Sequence, residues 1–283
     1  MNEIQRFKDI NGLKAVLVKE YQKQITNFFG NEQKALEFLS NVSASVQRNP
    51  KLLECVPGTV LNSFMTMASL KLMPSGVSGE AFVIPYKNKG VLEAQFQLGY
   101  QGIITLLYRA GARDVVAEVV REKDVFEIVN GKIQHKVNPL LTKEKRGEVI
   151  GAYAIITTKA GGTVEQFMHI DDIHAHAKKF SKSFASDFSP WNKESDPEGW
   201  MPRKTVLKQA AKLAPKNEAL NRAIAEDNKD SNLSDRLETA KKESEALSMG
   251  NLMNHAKSTE ELQDQGVDQT AKGGAEEDER VID

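Results

Sequence analysis

A chain of 283 residues, 40% of them apolar, has material for one large domain or two small ones. Its net charge of −1 averages two unlike parts: residues 1–225 carry 31 basic and 23 acidic side chains, residues 226–283 carry 7 and 16. A basic body beside an acidic segment points to a polyanionic partner, while the lack of any long apolar run and a lone Cys55 argue against a membrane span, a disulfide framework and a cysteine zinc site.

In chain order, residues 1–30 read as a mixed amphipathic helix, with Leu13, Val16, Leu17, Ile25, Phe28 and Phe29 among charges. Its apolar positions exceed what one face can hide, which nominates the segment for subunit contact. The opening MNEIQRFKDI lacks a signal-peptide pattern, so a soluble protein of a reducing compartment is expected. Residues 32–47 give a second helix with Leu36, Leu39 and Val46 on one face. A third runs from Pro57, suited to a first turn, to Leu72, with Val60, Leu61, Phe64, Met67 and Ala68 at helical spacing.

The period then changes to two. Residues 81–86 and 92–98 flank Lys87-Asn88-Lys89-Gly90, a hairpin with a basic tip. A helix over 100–110 ends at Gly111. Strands are expected at 115–122, 125–129 and 132–137, the last two joined by Asn130-Gly131, and at 149–158 and 163–168 across Gly161-Gly162. Asp171 or Asp172 opens a helix to Phe180, and residues 181–199 form a loop carrying Trp191. Helices from Trp200 to Ala214 and on to Ala225 close the body. From Glu226 onward there is no Phe, Tyr or Trp, so residues 226–283 read as a flexible acidic tail with a short helix at most, near 233–247. The fold class is α+β: a helical N-terminal part, central antiparallel β-hairpins packed with helices, C-terminal helices and a disordered acidic tail.

Neither G-x-x-x-x-G-K-S/T nor a strand followed by G-x-G-x-x-G occurs, which argues against an ATPase. His169, Asp171, Asp172, His174 and His176 resemble a metal cluster, but residues two apart on a helix point ~200° from each other. The two acids suit a helix start instead. Asp114, Asp124 and Glu127 are the carboxylates a Mg²⁺-dependent nuclease would use, and ordinary strand ends look the same. No catalytic, metal or cofactor residue is assigned.

Basic features carry more. Lys204, Lys208 and Lys212 line one helix stripe at i, i+4, i+8, and residues 203–216 also hold Arg203 and Lys216 but no acid. Like charges at that spacing repel, so their presence suggests a polyanion to be bound. Lys178, Lys179 and Lys182 precede Trp191 and Trp200; bases of single strands stack on aromatic faces while cations follow the phosphates. Tyr86, Lys87 and Lys89 at the hairpin tip, with Tyr100, Arg109, Arg113 and Arg121, extend this candidate DNA-binding set.

Several blocks stand out together. They are Val56-Pro57-Gly58-Thr59-Val60 through Ser69-Leu70-Lys71-Leu72-Met73-Pro74, then Gly79-Glu80-Ala81-Phe82-Val83-Ile84-Pro85-Tyr86 and Gln97-Leu98-Gly99-Tyr100-Gln101-Gly102-Ile103-Ile104. Arg109, Gly111 and Val119-Val120-Arg121-Glu122 follow, and then Pro190-Trp191, Trp200-Met201-Pro202-Arg203-Lys204-Thr205 and Lys212-Leu213-Ala214-Pro215. In order and spacing these cover residues 35–226, and together they resemble the RecT family of phage recombination proteins. The resemblance implies a non-enzymatic, ATP-independent single-strand annealing protein, distantly related to Red-beta. It implies rings or helical filaments on single-stranded DNA and its annealed duplex, beside a phage exonuclease and a host single-strand-binding protein in the bacterial cytoplasm. Residues 1–225 would then be the DNA-binding, annealing and oligomerisation body, and 226–283 a partner-binding tail. Competing classes are a Mg²⁺-dependent nuclease of phage DNA metabolism and a non-catalytic phage assembly protein.

Overall fold

Local chemistry explains where the first helices begin and bend. The Asp9 side chain accepts the Gly12 N–H at 2.8 Å and opens α1 (Ile10–Val16). A π-helical turn over Leu17–Tyr21 leads into α2 (Gln22–Phe29), which Gly30 ends at φ 65°. In an unbroken α-helix Ile25 would sit about 80° around the axis from Leu17, at ~100° per residue. The extra residue of the π turn brings it back, and Leu13, Leu17 and Ile25 are all buried.

The computed structural model describes residues 7–74, 78–181, 184–186, 189–215 and 218–228. Asn31 caps α3 (Glu32–Arg48), whose buried stripe is Ala35, Phe38, Val42 and Val46. Leu36 was expected on that face but is 52% exposed, because the core selects the stripe through Ala35 and Phe38, one residue out of phase. After a 3-10 turn (Pro50–Glu54), α4 (Pro57–Ser69) has Pro57 in its first turn and buries Val60, Phe64, Met67 and Ala68. It packs on the hairpin of β1 (Ala81–Asn88) and β2 (Val91–Leu98), in register from Ala81 opposite Leu98 to Asn88 opposite Val91. Lys89 and Gly90 at the tip both have positive φ, as a two-residue turn of this hand requires.

The joint between hairpin and α5 (Tyr100–Arg109) explains several of the resemblance blocks. A Cβ on Gly99 would lie 1.9 Å from the Gly79 carbonyl oxygen, and one on Gly102 2.1 Å from that of Glu80, so only glycine fits either place. The Glu80 carboxylate accepts from the Met73 N–H (2.9 Å) and the Thr105 hydroxyl (3.0 Å), tying the exit of α4 to α5.

β3 (Ala112–Arg121), β6 (Val149–Thr158) and β7 (Thr163–His169) form an antiparallel sheet with β6 central. Small residues, among them Ala117, Ala152 and Ala154, belong to the main core and let α8 (Trp200–Ala211) lie close against this sheet. Between β3 and β6, β4 (Val125–Val129) and β5 (Lys132–Lys136) make a second hairpin, turned by Asn130 and Gly131 at φ 51° and 75°. Phe126 of this hairpin packs on Phe167 of the sheet, ring centres 4.8 Å apart. A one-turn α6 (Lys143–Arg146) follows, which periodicity does not announce.

α7 (Ile170–Phe180) corrects the expected helix start. Its cap is His169, whose Nδ1 accepts the Asp171 N–H at 3.3 Å, and Asp171 and Asp172 fill the first turn. α8 ends before Ala214, and α9 (Glu218–Asn228) runs past Ala225 and buries Leu220, Ala223 and Ile224. The architecture is α+β. Among the described residues no helix is long and apolar enough to cross a membrane. Lys182, Lys216 and the segment from residue 229, including the helix expected near 233–247, lie outside the described residues.

Candidate nucleic-acid interface

Nearly every side of α8 is covered, with Pro202, Thr205, Val206, Leu207, Ala210 and Ala211 buried. What remains is a stripe holding Met201, Lys204 and Lys208, and it looks into a cleft of about 420 Å³. The β1–β2 hairpin supplies one wall through Tyr86 and Phe96. His176 and Phe180 of α7, Trp191 of the loop and Asp227 and Asn228 of α9 complete it.

The cations here are unequal. Lys204 makes no hydrogen bond or ion pair among the described residues, and its ammonium pKa is lowered. Burial is the main cause, repulsion from Lys208 adds to it, and attraction by Asp227 opposes it. Lys208 pairs with Asp227 and donates to Asn228 Oδ1 at 2.6 Å. Lys212, exposed at the end of α8, donates to Gln209 Oε1 at 2.9 Å. Gln209 in turn lies 2.8 Å from His176 Nε2. Burial, then the charges of Lys212, Lys208 and Lys179, depress the His176 pKa and keep its ring neutral at neutral pH. Lys178 and Lys179 are exposed on the last turn of α7, with Lys179 5.4 Å from the Phe180 ring.

The two tryptophans differ in setting. Trp191 is packed edge-on to Phe184 (5.7 Å) and His174 (6.4 Å), with its Nε1 buried and without an acceptor among the described residues. Trp200 is 46% exposed. It stands at the start of α8 outside the cleft lining, 5.4 Å from Tyr100, with the Arg203 guanidinium 5.0 Å over its ring. Arg203 also pairs with Glu118 at 2.8 Å, and burial raises the Tyr100 phenol pKa.

Lys87 and Lys89 are exposed beside Tyr86 on the hairpin. Arg109, Arg113 and Arg121 do not line the cleft. Arg109 donates to the carbonyls of Leu70 (2.9 Å) and Lys71 (3.1 Å), closing the C-terminus of α4. Arg121 is buried, with Nη1 donating to the Gly147 carbonyl at 2.9 Å, and Arg113 is exposed at the start of β3. Phe96 and Asp227 join the cleft without having been singled out by sequence, and His176, weighed there only as a metal ligand, joins it as well. Phe96 had the alternation of a core strand as its only signal, and Asp227 was hidden among the acids of the tail.

The nuclease carboxylates are not grouped. The Asp124 carboxylate is fully buried, accepting from Arg146 (2.7 and 2.6 Å), the Arg121 N–H (2.8 Å) and His135 (3.1 Å). Burial alone would raise its pKa, but these hydrogen bonds outweigh it and hold the carboxyl at about 2. Asp114 and Glu127 are exposed. Among the described residues no cluster of three or more His, Cys, Asp or Glu is placed to hold a metal ion. His174 and His176 diverge, the first toward Trp191 and the second toward Gln209.

The cleft thus brings the ammonium groups of Lys204 and Lys208 on α8 together with the rings of Tyr86, Phe96, Phe180 and Trp191. The RecT family model matches residues 36–245, and the chain belongs to the RecT family. That match continues beyond α9 into the acidic segment. The chain is similar to "Uncharacterized protein YqaK" of Bacillus subtilis (strain 168), at 31% identity over 183 residues. The aligned part is 62% of this chain and spans 58% of that relative.

Proposed function

We propose that this protein binds single-stranded DNA and anneals complementary strands without ATP, as an oligomer in phage homologous recombination. The observation that carries the reading is Lys204, a desolvated ammonium without an ion-pair partner among the described residues, facing Tyr86, Phe96 and Trp191 across one cleft. Phosphates would lie along Lys204, Lys208 and Lys212, and rings on the walls would take bases. Trp200 with Arg203, Lys178 and Lys179, and Lys87 and Lys89 flank that path. Holding a strand by its backbone leaves base edges free to test a partner. Pairing then needs no fuel, since duplex stacking supplies ~1.4 kcal/mol per step. Many subunits on one strand turn weak individual contacts into avid binding. Ring or filament contacts would draw on residues 1–30. The body runs through α9 to Asn228, and the acidic residues beyond it serve partners such as a phage exonuclease or a host single-strand-binding protein.

The test mixes protein, complementary strands and EDTA and follows a fluorescent reporter of duplex formation. Duplex should form faster than without protein, at a rate that rises with the second strand. Labelled strands incubated with Mg²⁺ should keep their length. If annealing stays at the protein-free rate until ATP is supplied, a motor has been missed and the reading is wrong.

A further inference from the structure

The cation best placed to meet a second phosphate is already taken. Lys208 is 13% exposed and Asp227 7%, and their ion pair closes the α9 end of the cleft. Asp227 uses both carboxylate oxygens: Oδ2 receives the Lys208 ammonium, and Oδ1 accepts the Leu98 N–H at 2.7 Å. It is also the one group whose charge pulls on Lys204. Asn228 brings a further oxygen to Lys208 at 2.6 Å. One ammonium thus meets oxygens from two successive residues, one of them charged, as it would meet the oxygens of a phosphate. These residues end α9, where the helix dipole is itself negative. Leu220, Ala223 and Ile224 anchor the helix further back, so its last turn can leave while the rest stays packed.

We propose that Asp227 is an internal competitor for DNA: the last turn of α9 occupies the phosphate position on Lys208 in the free protein and is displaced when a strand enters. This rests on the cleft being the strand site. A phosphate and the Asp227 carboxylate cannot share one ammonium without like-charge repulsion. Residues 229–283, which follow directly, carry 14 acidic and 7 basic side chains, so a bound strand repels the chain attached to the displaced turn.

Asp227→Asn tests this, because it deletes the charge yet keeps an Oδ1 acceptor for the Leu98 N–H. With Lys208 free, binding to a fluorescent oligonucleotide should gain about one phosphate contact, steepening the log affinity against log salt slope by about 0.7. Over the interval from ~1 M to ~50 mM salt that is roughly tenfold tighter binding. A folded Asp227→Asn variant with the wild-type slope and affinity overturns the proposal. Weaker binding also overturns it, by showing that Asp227 orients Lys208 for DNA. A second measurement needs no variant: amides at the end of α9 in the wild-type chain should exchange faster with oligonucleotide bound, and unchanged or slower exchange refutes displacement. If the wild-type chain binds no single strand, the cleft reading falls and this inference with it. Wild-type binding with no Asp227→Asn effect rejects the competitor alone.

Discussion

Replacing the three lysines of the α8 stripe measures how many phosphates the cleft holds. Each phosphate contact on a single strand contributes about 0.7 to the slope of log affinity against log salt, so losing Lys204 and Lys212 should flatten it by about 1.4, while Lys208, already neutralised by Asp227, adds little. Between ~1 M and ~50 mM salt, that amounts to roughly sixtyfold in affinity. The structure ranks the contributions. Lys204 has no ion-pair partner among the described residues, so Lys204→Ala alone should remove one full contact of about 0.7. Its ammonium is already desolvated, so the change should leave the melting temperature unchanged or raise it. Lys208 is different, because Lys208→Ala would leave buried Asp227 without its cation and destabilise the fold. Lys208→Gln keeps a donor for the α9 oxygens, and the informative triple variant is Lys204→Ala, Lys208→Gln, Lys212→Ala. Fluorescence anisotropy of a labelled oligonucleotide across a salt series supplies the slope, and circular dichroism checks folding. A folded triple variant with the wild-type slope would refute the phosphate assignment.

Two further outcomes separate binding from architecture. Asp124 titrates at about 2 when folded against an ordinary 3.8, so its network contributes about 2 kcal/mol. That stability is complete above the ordinary carboxylate range and is lost as pH falls from there through the folded value. Denaturant unfolding should therefore find Asp124→Asn less stable at neutral pH, with the gap narrowing through that acid window; a gap constant with pH refutes the role. Trp200→Ala should weaken oligonucleotide binding by ~1–3 kcal/mol with little change in melting temperature. Trp191→Ala should instead lower the melting temperature, since that ring packs against the core, and the reverse pattern in the pair would show their roles exchanged.

Local order determined much of this protein. The two-residue turns at Lys89-Gly90 and Asn130-Gly131, Pro57 opening α4 and the lysine stripe of α8 follow from backbone preferences and from spacing within one element. Those causes act over a few residues and are written in consecutive letters. Tertiary packing decided the rest. Leu36 lost its place in the core to Ala35 and Phe38 because the neighbouring helices select the stripe. Arg109 and Arg121, indistinguishable by sequence from phosphate-binding arginines, were drawn to backbone carbonyls remote in the chain. The lysine stripe likewise carried no sign that Asp227, on another helix, would answer Lys208. An ammonium takes whichever oxygens the packed elements bring within reach, and that choice is made by the shape of the core, which no single stretch of sequence contains.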